Sequence, residues 1–222
     1  MKLSDYVMNF LYKKNIRHIF GFQGGSVTHL IDSIHKIDEL AYIQNYHEQA
    51  SSFCADAYAR ASGNVGVAVA TSGPGATNLI TGIANAFFDS VPCLFITGQV
   101  SVHAMKTNPA VRQQGFQETD IVSIVQPVTK FAKTLLEPEN IRYDLEKAFY
   151  LAQTGRPGPV LIDLPHNVQA SEINSQTLKS FTDSDEYILE RKKHREPDCD
   201  TVKRIVAMLA EAERPVILAG GG

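Results

Sequence analysis

The sequence predicts an α/β protein with a doubly wound, mostly parallel sheet and helices on both of its faces. Two observations predict it. Short apolar runs alternate with amphipathic helical stretches, the pattern of βαβ units joined by right-handed crossovers. Several runs, among them 65–70 and 94–96, are apolar at nearly every position, as strands covered on both faces are.

The elements follow in order. Leu3, Val7, Phe10 and Leu11 recur at helical spacing behind Ser4, a candidate N-cap. Residues 17–22 read as a strand running into Gly24-Gly25, after which Ser26 is placed to cap a helix carrying Val27, Leu30, Ile31 and Ile34. A second strand spans 40–44, and a helix spans 47–62, ended by Gly63. A third strand, 65–71, breaks at Ser72-Gly73-Pro74-Gly75. A helix over 77–89 and a fourth strand over 93–97, ended by Gly98, complete that unit. Beyond a long loop come a strand over 128–135, a helix over 138–154 and a last strand over 160–164.

This organisation places one domain over 1–170. From 171 to 200 Ser, Thr, Asp, Glu, Lys and Arg dominate, including Arg191-Lys192-Lys193-His194-Arg195, and the stretch is expected to be a solvated linker. At 201–222 a second α/β unit is expected to start. Val202, Ile205, Val206 and Leu209 form one helical face, and a strand over 216–219 ends in Gly220-Gly221-Gly222. A βαβ unit left unfinished there implies a longer parent protein, cut at the opening of its central domain.

Composition narrows the function. The 222 residues are 44% hydrophobic and 20% charged, with a net charge of -3. That balance argues against nucleic acid as a partner. No window suits a membrane span or a signal peptide. The three widely spaced cysteines form no disulfide framework, which fits a cytoplasmic protein. His47 beside Glu48 suggests a metal pair, but adjacent helical residues diverge and no third ligand is suitably spaced, so no metal site is expected.

Glu48 is the most informative residue. It follows the 40–44 strand and opens a helix of small apolar residues, so its carboxylate should be buried. Burying a charge is costly unless a partner pairs with it or protonates it. The segment Thr71-Ser72-Gly73-Pro74-Gly75-Ala76-Thr77-Asn78 turns from strand into helix. It offers close backbone approach and free N–H groups, or simply a tight packing turn; neither a dinucleotide fingerprint nor a P-loop is present. Gly155-Arg156-Pro157-Gly158-Pro159 reads as a rigid loop whose Arg156 suits a phosphate or a flavin. In open α/β sheets ligands sit at the carboxyl ends of strands, where Gly24-Gly25, Gly73–75, Gly98 and Glu48 all fall.

Together these segments resemble the N-terminal pyrimidine-binding domain of thiamine-diphosphate-dependent enzymes, most closely the large subunit of acetolactate synthase. The resemblance rests on Phe20-Gly21-Phe22-Gln23-Gly24-Gly25, His47-Glu48-Gln49, Tyr58-Ala59-Arg60-Ala61-Ser62-Gly63, Thr71 to Asn78, Thr97-Gly98-Gln99-Val100, Phe116-Gln117-Glu118, and Gly155 to Pro159 with Asp163-Leu164-Pro165. It implies a thiamine-diphosphate-binding fold in which Glu48 shares a proton with a ring nitrogen of the cofactor's aminopyrimidine. The exocyclic nitrogen can then take the proton of the thiazolium carbon. It implies cofactor contacts from Phe22, Gln23, Gly24, Glu48, Thr71, Pro74 and Asn78. Glu48 and Gln117 are the implied catalytic residues, Phe116 and His166 lie on the substrate side, and Arg156 contacts FAD in members that carry it. Mg2+ is implied at a diphosphate site in a domain beyond this segment. Implied partners are 2-keto acids, a second copy of the chain in a dimer or tetramer, and a small regulatory subunit in some members.

Two departures bear on the substrate. The family usually has proline where this chain has Gln23, and lysine where it has His166; the segment 105–115 also differs. They leave room for a different 2-keto acid decarboxylase or carboligase, such as one of surface-sugar biosynthesis. The presence of Glu48 disfavours a glyoxylate carboligase, a subgroup that lacks this glutamate. A non-catalytic binding or assembly domain is the reading from another class.

Overall fold

The computed structural model describes residues 1–193, 198–218 and 220. Six parallel strands form one sheet: β1 (His18–Phe22), β2 (Ala41–Gln44), β3 (Gly66–Ala70), β4 (Cys93–Gln99), β5 (Phe131–Thr134) and β6 (Val160–Pro165), in the order β2-β1-β3-β4-β6-β5. The chain leaves β1 outward to β2 and then returns past it to β3. The strand order therefore reverses between β1 and β3, which opens a crevice at their carboxyl ends.

Alternation along the central strands builds two cores. Val67, Val69, Leu94, Ile96, Val160 and Ile162 face helices α1 (Leu3–Lys13), α2 (Thr28–Ile34) and α7 (Ile141–Gln153). Ala68, Ala70, Cys93, Phe95 and Leu161 face α3 (Glu48–Ser62), α4 (Pro74–Asn78), α5 (Ile80–Phe88) and α6 (Ile121–Val125). The second face is alanine-rich, so its helices lie close. A Cβ at Gly66 would sit 1.9 Å from the Ala55 carbonyl oxygen of α3. The doubly wound sheet expected from the sequence is thus present, and it is wholly parallel.

Local boundaries differ from the sequence reading for identifiable reasons. Ser4 is not an N-cap: the helix starts at Leu3, and the buried Ser4 hydroxyl accepts a 2.8 Å hydrogen bond from Ser33 Oγ. Ser26 does not cap α2 either. A short 3-10 turn (Gly25–Val27) intervenes, and the Ser26 hydroxyl pairs with Ser72 Oγ at 2.8 Å, tying two glycine turns together. The helix expected over 77–89 begins earlier, with Pro74 at a first-turn position that suits its fixed φ, and is divided at Leu79. The strand expected over 128–135 is shorter because Gln126–Val128 forms a 3-10 turn.

The stretch read from composition as a linker is docked over its first part. Lys2 and Glu172 form an antiparallel bridge, and Leu3 N–H donates to Ser171 O at 2.8 Å. Phe181 is fully buried among the rings of Tyr143, Tyr150 and Tyr187, while Glu146 Oε2 accepts from both Phe181 N and Ser180 Oγ. Three buried apolar residues (Ile173, Leu178 and Phe181) spaced irregularly along a polar stretch carry no periodic signal, which is why composition reads it as solvated. Helix α8 (His166–Ala170) precedes this stretch, and α9 (Asp185–Lys193) and α10 (Cys199–Glu211) follow it. Residues 216–218 are unpaired and exposed rather than a strand, since no neighbouring strand is present among the described residues; Ala219, Gly221, Gly222, His194 and Arg195 lie outside them.

The docking predicts that Phe181→Ala lowers stability by about 3 kcal/mol or more, the usual loss for a buried aromatic cut to alanine. Chemical denaturation would measure it; a change below about 1 kcal/mol would show that the stretch is not part of the folded unit.

Candidate active site at the carboxyl edge

Glu48 occupies the first position of α3, only 7% exposed, one residue after His47, whose Nδ1 caps the helix by accepting Gln49 N–H at 3.1 Å. A helix N-terminus favours a negative side chain through its free N–H groups and dipole. Asn78, closing α4, donates Nδ2 to Glu48 Oε2 at 2.9 Å. Among the described residues no donor reaches Glu48 Oε1. One carboxylate oxygen is therefore held and the other is left for a partner.

Glycine lets the neighbouring turn pack close to that oxygen. A Cβ at Gly75 would lie 3.1 Å from Glu48 Oε1 and 2.7 Å from Thr71 Cγ2; one at Gly24 would lie 2.5 Å from Thr71 Cβ. Thr71 Oγ1 accepts Ser26 N–H at 3.2 Å. The turns after β1 and β3 thus close on each other at the switch point. Gly73 has φ +61 and ψ -121, a conformation strained for any side chain, and a Cβ there would meet Gln117 O at 2.7 Å. Gln117 itself has φ 58. Its neighbour Glu118 is 8% exposed and accepts N–H bonds from Lys106, Gln114 and Gly115. Burial pushes the Glu118 carboxyl up, but those three backbone donors outweigh it and hold it below the usual carboxylate range.

The predicted residues fall into three groups. Glu48, Asn78, Thr71, Pro74 and Gly24 come together with Gln117 as just described, and Phe22 ends β1 in register with Ala70, one residue before Thr71. Gln23 and Gly24 line, with Thr28 and Ile31, an adjoining cavity of about 300 Å3. His166 reaches its rim, 3.3 Å from Thr28 Oγ1 and with its ring 4.6 Å from that of His29. Burial, then the neighbouring His166, holds His29 below the ordinary imidazole range. Phe116 is 86% exposed. Arg156 does not join the site. It precedes β6 at the opposite, amino edge of the sheet, where it donates to Ser90 Oγ (2.7 Å) and Phe88 O (3.2 Å) and lines a separate cavity of about 230 Å3 with Phe87, Phe88, Lys130 and Pro157.

Three features escaped the sequence reading. Tyr42, on β2, has a buried hydroxyl without a partner among the described residues; burial, and secondarily Glu48, push it up to about 12. Gly75 looks in the sequence like any turn glycine, yet its missing Cβ lets Thr71 and Glu48 Oε1 come this close. Asp163, noted only as part of a motif, is 1% exposed; Oδ1 accepts from Thr97 Oγ1 (2.7 Å), and Oδ2 from Gln99 Nε2 and Thr134 Oγ1 (3.1 Å each). Strand register puts Phe22, Ala70, Thr97, Asp163 and Thr134 in one row across the sheet, a juxtaposition no single segment announces.

Comparison with known proteins accounts for this geometry. Residues 1–124 match the family described as thiamine pyrophosphate enzyme, N-terminal TPP binding domain. The chain belongs to that family. It is 41% identical, over its whole length, to a probable acetolactate synthase large subunit of Methanocaldococcus jannaschii. It is 40% identical over 99% of its length to the acetolactate synthase large subunit of Lactococcus lactis, and 36% identical over 99% to the isozyme 3 large subunit of Escherichia coli. The chain spans a little over a third of the length of these relatives. Thiamine diphosphate is thus the cofactor of the domain, and the residues present fit it: a nearly buried carboxylate with one oxygen unclaimed stands against a glycine turn where a Cβ would crowd it. Among the described residues no helix is long and apolar enough to cross a membrane.

Asp163 yields a pH prediction. Burial raises its carboxyl to about 7, against the opposing bonds from Thr97, Gln99 and Thr134. The folded state therefore binds a proton that the unfolded chain releases near pH 4. This stabilisation is full below that value and is lost as pH rises towards about 7, with a slope of at most about 1.4 kcal/mol per pH unit. Asp163→Asn, which can keep an acceptor towards Gln99, should flatten the stability profile between about pH 4 and 7. Denaturant titrations across that range would show it; an unchanged slope would contradict the assignment.

Proposed function

We propose that this chain is the pyrimidine-binding part of an acetolactate synthase large subunit, which decarboxylates pyruvate and joins the two-carbon fragment to a second 2-keto acid. The observation that carries the reading is Glu48, nearly buried and fixed through Oε2 by Asn78, with Oε1 unclaimed beside Gly75. The relatives named acetolactate synthase support it over essentially the full chain.

Thiamine diphosphate, when bound, supplies a carbon able to hold the electron pair released by decarboxylation. The chain's own groups prepare the site for that chemistry. Glu48 holds or shares a proton at Oε1 towards the pyrimidine, in a setting where a hydrogen bond is electrostatically stronger than in water. Asn78 prevents the carboxylate from turning away. Thr71, Gly24 and Gly75 let the heterocycle approach backbone, with Phe22, Gln23 and Pro74 at its margin. Gln117 and Phe116 face the substrate from the neighbouring loop, and His166 approaches the same side by way of the Thr28 cavity.

The rest of the reading concerns the parent protein. Mg2+ and the diphosphate would be held by a domain beyond this segment, and 201–222 would open a central domain after a connecting stretch. FAD would lie against Arg156. The subunits would pair, with a small regulatory subunit as a further partner, in the cytoplasm, serving branched-chain amino acid synthesis. Gln23 and His166, where the family has proline and lysine, both border the 300 Å3 cavity or its rim and favour, as a second reading, a different 2-keto acid.

In the full-length enzyme, Glu48→Gln is expected to lower kcat at least about 100-fold, the usual range for a lost proton-transfer group. An unchanged rate would make the domain a binding module instead. Turnover of pyruvate, alone and with 2-ketobutyrate, separates the two enzymatic readings, and flavin absorbance in the purified protein reports on Arg156.

A further inference from the structure

Gln99 ends β4 and is 2% exposed. Every polar atom of its amide is engaged: Oε1 accepts Val100 N–H at 3.0 Å, and Nε2 donates to Thr119 O at 2.7 Å and to Asp163 Oδ2 at 3.1 Å. Two acceptors on one side and a donor on the other admit a single orientation of the amide. Two residues before Thr119 stands Gln117 with φ 58. Such strain costs about 1–3 kcal/mol and persists only where the surroundings over-determine it.

The surroundings can be named. Glu118 gathers the N–H groups of Lys106, Gln114 and Gly115, and Gln113 Nε2 donates to Glu118 O at 3.2 Å. Gly73 abuts Gln117 with no room for a Cβ. The far end of the strained turn hangs on Gln99, and Gln99 in turn on Asp163.

We propose that Asp163 and Gln99 are positioning residues: they hold the Thr119 carbonyl and so set Gln117 against the Gly73 turn at the catalytic edge. The inference relies on the functional reading above for what Gln117 does, but not for the linkage itself. An ionised Asp163 grips Gln99 through a charge-assisted bond, roughly twice as strong as a neutral one. A protonated Asp163 can donate to Thr97 Oγ1 and holds Gln99 more weakly. The groups facing Asp163 are Thr97 and Gln99 on β4, Thr134 on β5, and Asp120 at the N-cap of α6, whose charge opposes ionisation. The loop is therefore held more tightly as pH rises through about 7.

The test uses the full-length enzyme with Gln99→Met, which keeps length and loses the amide, and Asp163→Asn. Gln99→Met removes all three bonds of the amide, of which the one to Thr119 O bears on Gln117; losing that hold, at about 1.4 kcal/mol, is expected to raise KM for the 2-keto acid about tenfold, with thiamine diphosphate affinity within about twofold. Amide hydrogen exchange at 115–120 should quicken. Asp163→Asn should abolish the change in KM that the parent enzyme shows between about pH 6 and 8. Unchanged KM and exchange in a folded Gln99→Met, or the parental pH profile in Asp163→Asn, would overturn the proposal. Should Gln99→Met not fold, the pH profile of the nearly isosteric Asp163→Asn decides alone. Exchange needs no turnover, so faster exchange in a protein that turns over no 2-keto acid would refute the functional reading and leave the linkage standing.

Discussion

A carboxylate at 7% exposure with only one of its oxygens satisfied is the constraint around which this domain is organised. An unpaired buried charge is expensive, so the fold must supply compensation and still leave something for a ligand to complete. The N-terminus of α3 supplies part through its free N–H groups, and Asn78 supplies part through one directed bond. What remains at Oε1 is a directional preference for a donor.

Close approach is the second requirement, and the sheet meets it with small residues. Gly66 lets α3 settle on β3, Gly82 lets α5 settle on α3 at Ser52, and Gly24 and Gly75 let Thr71 pack tightly between the two turns. The first pair determines where Glu48 points, because α3 carries it. The second pair lets the turns after β1 and β3 close on Thr71 beside it. The placement of Glu48 and the closing of the two turns thus rest on the same absence of Cβ atoms.

Much of this was legible in the chain. The alternation of apolar runs with helical periods identified the doubly wound sheet, since strands buried on both faces are mostly apolar along their length. Glu48 stood out because a carboxylate ahead of small apolar residues has few structural explanations. Other features were not legible. Phe181 lies in a polar stretch, and two of the three rings around it, Tyr143 and Tyr150, come from α7, which begins 40 residues earlier in sequence. Ser4 and Ser26 have the composition of caps, yet tertiary partners, Ser33 and Ser72, claim their hydroxyls.

The periodicity and the glycine-bearing turns determined the architecture and the edge of the sheet where chemistry would lie, because both are properties of short segments. Tertiary structure alone decided which oxygen of Glu48 is free, that Arg156 stands at the opposite edge, and that Asp163, Gln99 and Thr119 form one linkage to Gln117. Those are contacts between residues 20 to 66 positions apart. Their geometry is set by strand register and helix seating, and no local run of amino acids encodes either.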